Sequence, residues 1–175
     1  MDTLACIRAR VSYRGRYRQE PIPRQDLQTI MEAGLAAPSG SNKQTASLIA
    51  IDSPDLLRKI YQQTGSVIRH EAPAIICVLS KPVAAYRGRC FSTQDYAAAI
   101  ENMLLAIVAL GYQSCWYEGQ ITDENQLGQK IADILAVPPE YSVVCILPVG
   151  SAADPVSATK KKPFSELAWF NTIAK

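Results

Sequence analysis

The stretch AIICVLS at residues 74–80 is an almost unbroken apolar run, rich in branched side chains, with Pro73 and Pro82 close to its ends. Runs of this length and composition are typical of strands that are buried on both faces. We therefore expect a buried central strand here, with the other elements arranged around it.

Further segments have extended character, and helical patterns separate them. Strands are predicted at LIAID (48–52) and YSVVCILPVG (141–150), and SCWYEG (114–119) also favours an extended backbone. The composition of KPVAAYRGRCFST (81–93) and SAADPVSATKKKP (151–163) is typical of loops, which we expect on the surface.

The predicted helices follow from apolar residues at helical spacing and from residues that start or stop a helix. We place them after EPIP (20–23), from Ser53 to Gly65, from Asp95 to Leu110 and from Thr122 to Leu135, with a short helix or wrap at PFSELAWF (163–170). Because the strands are separated by helices without strict alternation, we expect one three-layer α+β domain over residues 1–175.

Composition excludes several classes of protein. The chain has 175 residues, 48% of them apolar, and a formal net charge of +2, so nothing in the total requires nucleic acid or an anionic membrane. Five cysteines without a C-x-x-C pair indicate free thiols and a cytoplasmic protein. The most apolar segment, residues 96–112, carries Glu101 and Asn102 and is shorter than the ~20 residues of a bilayer span.

Side-chain catalysis has little support in the sequence. His70 is the only histidine, and no G-x-S-x-G elbow or phosphate-binding G-x-x-x-x-G-K-[ST] loop is present. A single histidine and dispersed cysteines also make no set of metal ligands at useful spacing. We therefore predict neither a catalytic side chain nor a metal site.

The basic segment RARVSYRGRYR (8–18) is the strongest local signal. Residues 1–24 hold six arginines against two acidic residues, a local charge of +4 that leaves −2 for the remainder. In an extended backbone Arg10, Ser12 and Arg14 would project to the same side and could hold a phosphate ester. Two alternatives remain open: a solvated basic segment, or an RNA-binding surface in which Tyr13 and Tyr17 stack bases.

Several short segments occur in one order along the chain. They are R-x-S-x-R (10–14), EPIP (20–23), APSGSNKQ (37–44), DYAAAIENMLLAIVALGYQSCW (95–116), EG (118–119) and VG (149–150) followed by KKKPFSEL (160–167). None is specific alone, but in this order and spacing the chain resembles the FMN-dependent nitroreductase family over nearly its whole length. The resemblance implies a three-layer α/β/α fold with a mainly antiparallel central sheet. It also implies a homodimer with swapped termini, in which two FMN molecules lie at the interface.

The resemblance also implies roles for the basic segment and for the lysine run. Arg10 and Ser12 match residues that hold the phosphate and ribityl end of FMN. Arg14 matches a basic residue near the N1 and O2 edge of the ring system, where it would stabilise the charge of reduced flavin. Lys161 falls where the family places a phosphate-binding arginine ahead of a proline, although it could equally be surface charge.

Two further segments match flavin contacts. Pro38, Ser39 and Asn42, followed by Gln44, match a loop that the partner subunit lays against the flavin. Glu118 and Gly119 match a pair whose backbone N–H groups reach towards flavin N5, and glycine leaves that approach unobstructed. Ordinary alternatives are a turn at Gly119 and a self-bonding loop at Asn42.

The expected activity is ping-pong oxidoreduction. NAD(P)H would give hydride to bound FMN, and a nitroaromatic, a quinone or a similar small acceptor would then take the electrons. Related chemistry within the family stays open, namely dehalogenation, azoline oxidation and fragmentation of the flavin, as does flavin binding without turnover. A small RNA-binding module is the alternative outside flavin chemistry.

Overall fold

A computed structural model describes residues 2–65, 67–122, 124 and 126–173. Within these residues the helices are α1 (Thr3–Ala9), α2 (Arg24–Leu35), α3 (Pro54–Thr64), α4 (Ser92–Ala109), α5 (Leu127–Ile134) and α6 (Phe164–Leu167). The strands are β1 (Ala46–Ile51), β2 (Ala74–Ser80), β3 (Ala84–Tyr86), β4 (Arg89–Cys90) and β5 (Ser142–Val149), and a 3₁₀ turn covers Gly40–Asn42.

Strand β2 is the centre of the main sheet, as its apolar run predicts. It lies between β1 and β5 and pairs antiparallel with both, so that Cys77 is opposite Ile49 on one side and Ile146 on the other. Every residue of β2 is buried. A strand in this position exposes neither face to water, which explains why its sequence does not alternate between apolar and polar residues.

Successive residues of β2 face different helix layers. Ile76 and Val78 pack in a core cluster with α2 and α4, whereas Ile75 and Cys77 pack in a second cluster with α3 and α5. Helices therefore cover both faces of the sheet. The predicted three-layer architecture and the antiparallel sheet are confirmed.

The stretch at 113–117 runs alongside β5 and forms an irregular edge of the sheet that positions the site. Gln113 and Tyr117 form isolated bridges with Gly150 and Ile146, so the extended backbone predicted at 114–119 is confirmed up to Tyr117, whereas Gly119 lies in a turn. The N–H of Tyr13 in turn donates to the carbonyl of Ser114 at 2.8 Å. The basic N-terminal segment and the Glu118–Gly119 pair consequently lie at the same edge of the sheet.

Two predicted segments differ most from the structure, and α4 also begins at Ser92, inside the predicted loop at 81–93, rather than at Asp95. Helix α5 begins at Leu127 rather than at Thr122, whose hydroxyl instead donates to the carbonyls of Glu118 and Gly119 at 3.3 and 3.4 Å; residues 123 and 125 lie outside the described part. The predicted loop at 81–93 contains the β3–β4 hairpin, whose turn residues Arg87 and Gly88 both have positive φ. The Arg-Gly pair serves here as Asn-Gly does in common hairpins.

None of the helices in the described ranges combines the length and apolar character needed to cross a bilayer. The five cysteines are free, and four of them are buried while Cys90 is exposed.

Candidate functional site

A cavity of about 660 Å³ opens at the irregular edge of the sheet. Its lining joins three separate parts of the chain: the basic segment, the stretch after α3 and the extended stretch before α5. The lining residues are Arg14, Val67, Arg69, His70, Trp116, Tyr117, Glu118, Gly119 and Gln120. Three of these residues, Arg14, Glu118 and Gly119, belong to the site predicted from the sequence.

The basic segment is extended and alternates in burial, which orients its polar side chains. Val11 and Tyr13 are buried, whereas Ser12 and Arg14 between and after them are exposed. The buried side is fixed because the Tyr13 hydroxyl donates to the carbonyl of Arg16 at 2.6 Å. Ser12 and Arg14 therefore point to the same side, as their spacing predicts.

The arginines of this region differ in how their charge is used. Arg16 pairs with Asp154 at 2.8 Å and Arg24 with Asp52 at 2.7 Å, while Arg10 lies 3.4 Å from Glu101 on α4. Arg14 makes only a long hydrogen bond, 3.4 Å, to the carbonyl of Ser12 and forms no ion pair with any residue that the structure describes. Its positive charge is therefore available at the cavity.

The thiol of Cys115 lies close enough to Ser12 and Arg14 to be affected by both. Burial raises the pKa of the Cys115 thiol, and the charge of Arg14 and a hydrogen bond from Ser12 act in the opposite direction. Burial also raises the pKa of the neighbouring Tyr117 to about 12. At neutral pH both groups are uncharged, so neither adds a negative charge beside Arg14.

Glu118 and Gly119 begin a turn that also lines the cavity. The Glu118 carboxylate accepts a hydrogen bond from the Tyr96 hydroxyl and another from Trp116 Nε1, both at 2.7 Å. Among the residues that the structure describes, no heavy atom beyond the chain neighbours of Gly119 would lie within 4 Å of a Cβ built there. Backbone at Gly119 is therefore accessible to a flat group lying in the cavity.

The predicted loop at 37–44 lies elsewhere in the same chain. Pro38, Ser39 and Gln44 line a separate cavity of about 180 Å³. The Ser39 hydroxyl accepts the N–H of Gln44 at 3.0 Å, and both Asn42 and Gln44 have left-handed backbone, with φ of 55° and 49°. Within one chain this loop does not join the cavity that contains Arg14.

Lys161 also lies away from that cavity, in an exposed segment after β5. Its neighbour Lys162 is 3.9 Å from Glu166. Neither Lys161 nor Arg10 lines the cavity that contains Arg14. Base stacking on Tyr13 and Tyr17 has no structural basis either, because their side chains are only 5% and 7% exposed.

Arg69, His70 and Trp116 line the cavity although sequence reasoning did not select them as site residues. Arg69 and His70 form a short basic pair just before β2, and no motif distinguishes such a pair from surface charge. Their proximity to Arg14 depends on the packing of distant segments. The positive lining of the cavity is consequently larger than the sequence indicates.

Comparison with known proteins places this geometry in a family. A family model described as the nitroreductase family matches residues 7–72 and 66–151. A protein of Archaeoglobus fulgidus, provisionally named NADH dehydrogenase/NAD(P)H nitroreductase, is 28% identical over 139 residues, which is 79% of this chain and 79% of that protein.

Solved structures agree with this match. A protein of Parabacteroides distasonis with the same provisional name has a TM-score of 0.83 at 20% identity, covering 97% of this chain and 98% of its own. A nitroreductase with bound FMN from Bacteroides fragilis has a TM-score of 0.75 at 26% identity, covering 98% and 100%. Since the family model spans most of the chain and the fold is shared end to end, the chain belongs to the nitroreductase family of oxidoreductases.

Proposed function

We propose that the protein is an FMN-dependent oxidoreductase that takes hydride from NAD(P)H and reduces a nitroaromatic, a quinone or a similar small acceptor in a ping-pong reaction. When bound, FMN supplies the electron-transfer chemistry, so no side chain need act as acid or base. The observation that carries the proposal is the convergence of Arg14 with the Glu118–Gly119 turn on one cavity.

The groups at the cavity suit a flavin. Arg14 brings a permanent positive charge that would stabilise negative charge at the N1 and O2 edge of the ring system. Ser12 and Arg10 do not line the cavity itself, but they lie in the same segment as Arg14 and offer a hydroxyl and a guanidinium for the phosphate and ribityl end. Arg10 must then leave or share Glu101. The open approach to Gly119 suits a backbone donor near flavin N5.

A homodimer would complete the site. The flavin of the partner subunit would then be contacted by Pro38, Ser39, Asn42 and Gln44. Lys161, carried on a swapped C-terminal segment, would reach the FMN phosphate. Exposed apolar side chains support such an interface, since patches of this kind mark protein contacts. They include Phe164, Leu167, Phe170 and Ile173 near the C-terminus and Leu4 and Ile7 on α1, each 49% to 82% exposed.

The first experiment identifies the cofactor and its binding residue. Absorbance of the material released on denaturation should show FMN, and titration of the FMN-free protein should give a measurable Kd. Arg14→Ala should weaken FMN binding about tenfold or more, because a charged contact is lost. Arg18→Ala removes the same charge from the same exposed segment outside the cavity and should leave the Kd unchanged.

Failure to take up FMN supplied in excess would overturn the proposal, and an equal effect of both substitutions would overturn the role of Arg14. If FMN binds, a screen of electron acceptors with NADH and NADPH separates nitroreduction from the other flavin reactions of the family. Absence of turnover with every acceptor would favour a flavin-binding protein. Residence in the cytoplasm and a single domain over residues 1–175 stay predictions.

A further inference from the structure

We propose that the first turn of α4 is the positioning element of the site, in which Tyr96 holds the Glu118–Gly119 turn and Asp95 holds the loop at 38–45. The proposal rests on the proposed function, because it assigns positions to the segments expected to contact FMN. Neither Tyr96 nor Asp95 takes part in the reaction chemistry itself.

Tyr96 acts through the carboxylate of Glu118. The Tyr96 ring is only 7% exposed, and its hydroxyl donates to Glu118 Oε1, while Trp116 Nε1 donates to Oε2. Each carboxylate oxygen thus has a donor from a different part of the chain, and the side chain cannot rotate without losing one of them. Burial raises the pKa of Tyr96, so the phenol remains a donor at neutral pH.

Asp95 acts in the same way on the other segment. It is 4% exposed, and its two carboxylate oxygens accept the N–H of Gly40 and the hydroxyl of Thr45, both at 2.7 Å. These donors flank Ser41 and Gln44, whose left-handed backbone is unfavourable for residues other than glycine and asparagine. A buried carboxylate that satisfies both ends of the loop holds it in this conformation.

One helix turn can serve both segments because neighbouring residues project about 100° apart around a helix. The helix itself is held by Met103 and Ile107, which are fully buried in the core between α4 and the sheet. Displacement of this turn would therefore move both segments together. In a dimer of the proposed kind, the first turn of α4 would link two sets of contacts: those that a subunit makes with its own flavin and those that its loop makes with the partner's flavin.

The test compares two tyrosines with equivalent bonds. Tyr96→Phe removes the donor to Glu118, and Tyr112→Phe removes a donor to Asp26 Oδ2 that is also 2.7 Å long but lies outside the cavity. The first measurement is hydrogen exchange of the Ile121 amide in FMN-free protein, because that N–H closes the turn by donating to the carbonyl of Glu118 at 2.8 Å. The second is the Kd for FMN.

Tyr96→Phe should speed exchange at Ile121 about tenfold and raise the Kd for FMN about three- to tenfold. These changes are smaller than the full effect of losing one hydrogen bond to a charged group, because Glu118 keeps its bond from Trp116. Tyr112→Phe should change neither value. If Tyr96→Phe does not fold, Trp116→Phe removes the other donor to the same carboxylate and should give the same two effects.

For the second segment, Thr45→Val should speed exchange at the Gly40 amide, and Thr29→Val, on the exposed surface of α2, should not. Unchanged exchange at Ile121 in Tyr96→Phe, or equal changes in Tyr112→Phe, would overturn the positioning role of Tyr96. Unchanged exchange at Gly40 in Thr45→Val would overturn that of Asp95. If wild-type protein binds no FMN the proposed function fails, whereas the exchange measurements still decide whether α4 holds the two segments.

Discussion

Thr45→Val offers a sharp test of how the loop at 38–45 is held. The Thr45 hydroxyl is 2.7 Å from Asp95 Oδ2, and both residues are almost fully buried, at 3% and 4% exposure. Valine keeps the shape of the side chain but removes the donor. Asp95 then retains only the N–H of Gly40, and a hydrogen bond to a buried charge contributes about 1.5–3 kcal/mol.

We therefore expect the free energy of unfolding to fall by about 2 kcal/mol, with a Tm lower by roughly 4–8 °C for a chain of this size. The assay is urea unfolding of FMN-free protein followed by circular dichroism. Protein concentration is held constant, because association would make the apparent stability depend on it.

Thr29→Val provides the matched control. The Thr29 hydroxyl donates to the carbonyl of Gln25 at 2.9 Å on an exposed helix surface, so its loss should change stability by no more than about 0.5 kcal/mol. If Thr45→Val is as stable as wild type, or no less stable than Thr29→Val, the bond to Asp95 does not hold the loop and the reasoning is wrong.

Three further outcomes are expected. Gly128→Ala should lower the free energy of unfolding by about 3 kcal/mol, because the added Cβ would lie 2.7 Å from the carbonyl oxygen of Ile121 and 2.8 Å from that of Val143. Urea unfolding measures this change, and a variant as stable as wild type would contradict the prediction. A thiol reagent at neutral pH should label Cys90 before the other cysteines, because Cys90 is exposed and its hydrogen bond with Ser92 lowers its pKa. Burial raises the pKa of Cys77 to about 12, so Cys77 should react slowly. Mass spectrometry of labelled peptides checks the order. The pairing with Arg16 lowers the pKa of Asp154. Wild type should therefore be more stable than Asp154→Asn at any pH above 3.8, the ordinary pKa of an aspartate. It should lose that advantage as the pH falls through the lowered pKa of Asp154. Thermal unfolding of both proteins across this pH range would show a constant difference if the pair contributed nothing.

Agreement between sequence and structure is best where one local pattern decides the outcome. The apolar run of β2, the helix that starts at Pro54 and ends before Gly65, and the apolar length of α4 are all where the sequence predicts them. Agreement is poorer at α5, because the Thr122 hydroxyl bonds to the preceding turn instead of capping the helix.

The candidate site shows the same division. The alternating exposure of Ser12 and Arg14 follows from their spacing in an extended backbone, so the sequence could predict it. That Arg16 and Arg24 are paired while Arg14 forms no ion pair within the described residues could not be predicted, since Arg16 and Arg24 find their carboxylates 138 and 28 residues away. The contribution of Arg69 and His70 to the cavity likewise depends on segments that meet only in the folded chain.

By itself, the amino-acid sequence determined the layers of the fold and the alternating exposure of the basic segment, because burial periodicity is a local property of the chain. Only the tertiary structure decided that Arg14 and the Glu118–Gly119 turn line one cavity, while Pro38, Ser39, Gln44 and Lys161 lie outside it. The physical reason is that hydrogen bonds and ion pairs act over a few ångströms. Which groups come within that distance depends on the packing of the whole chain.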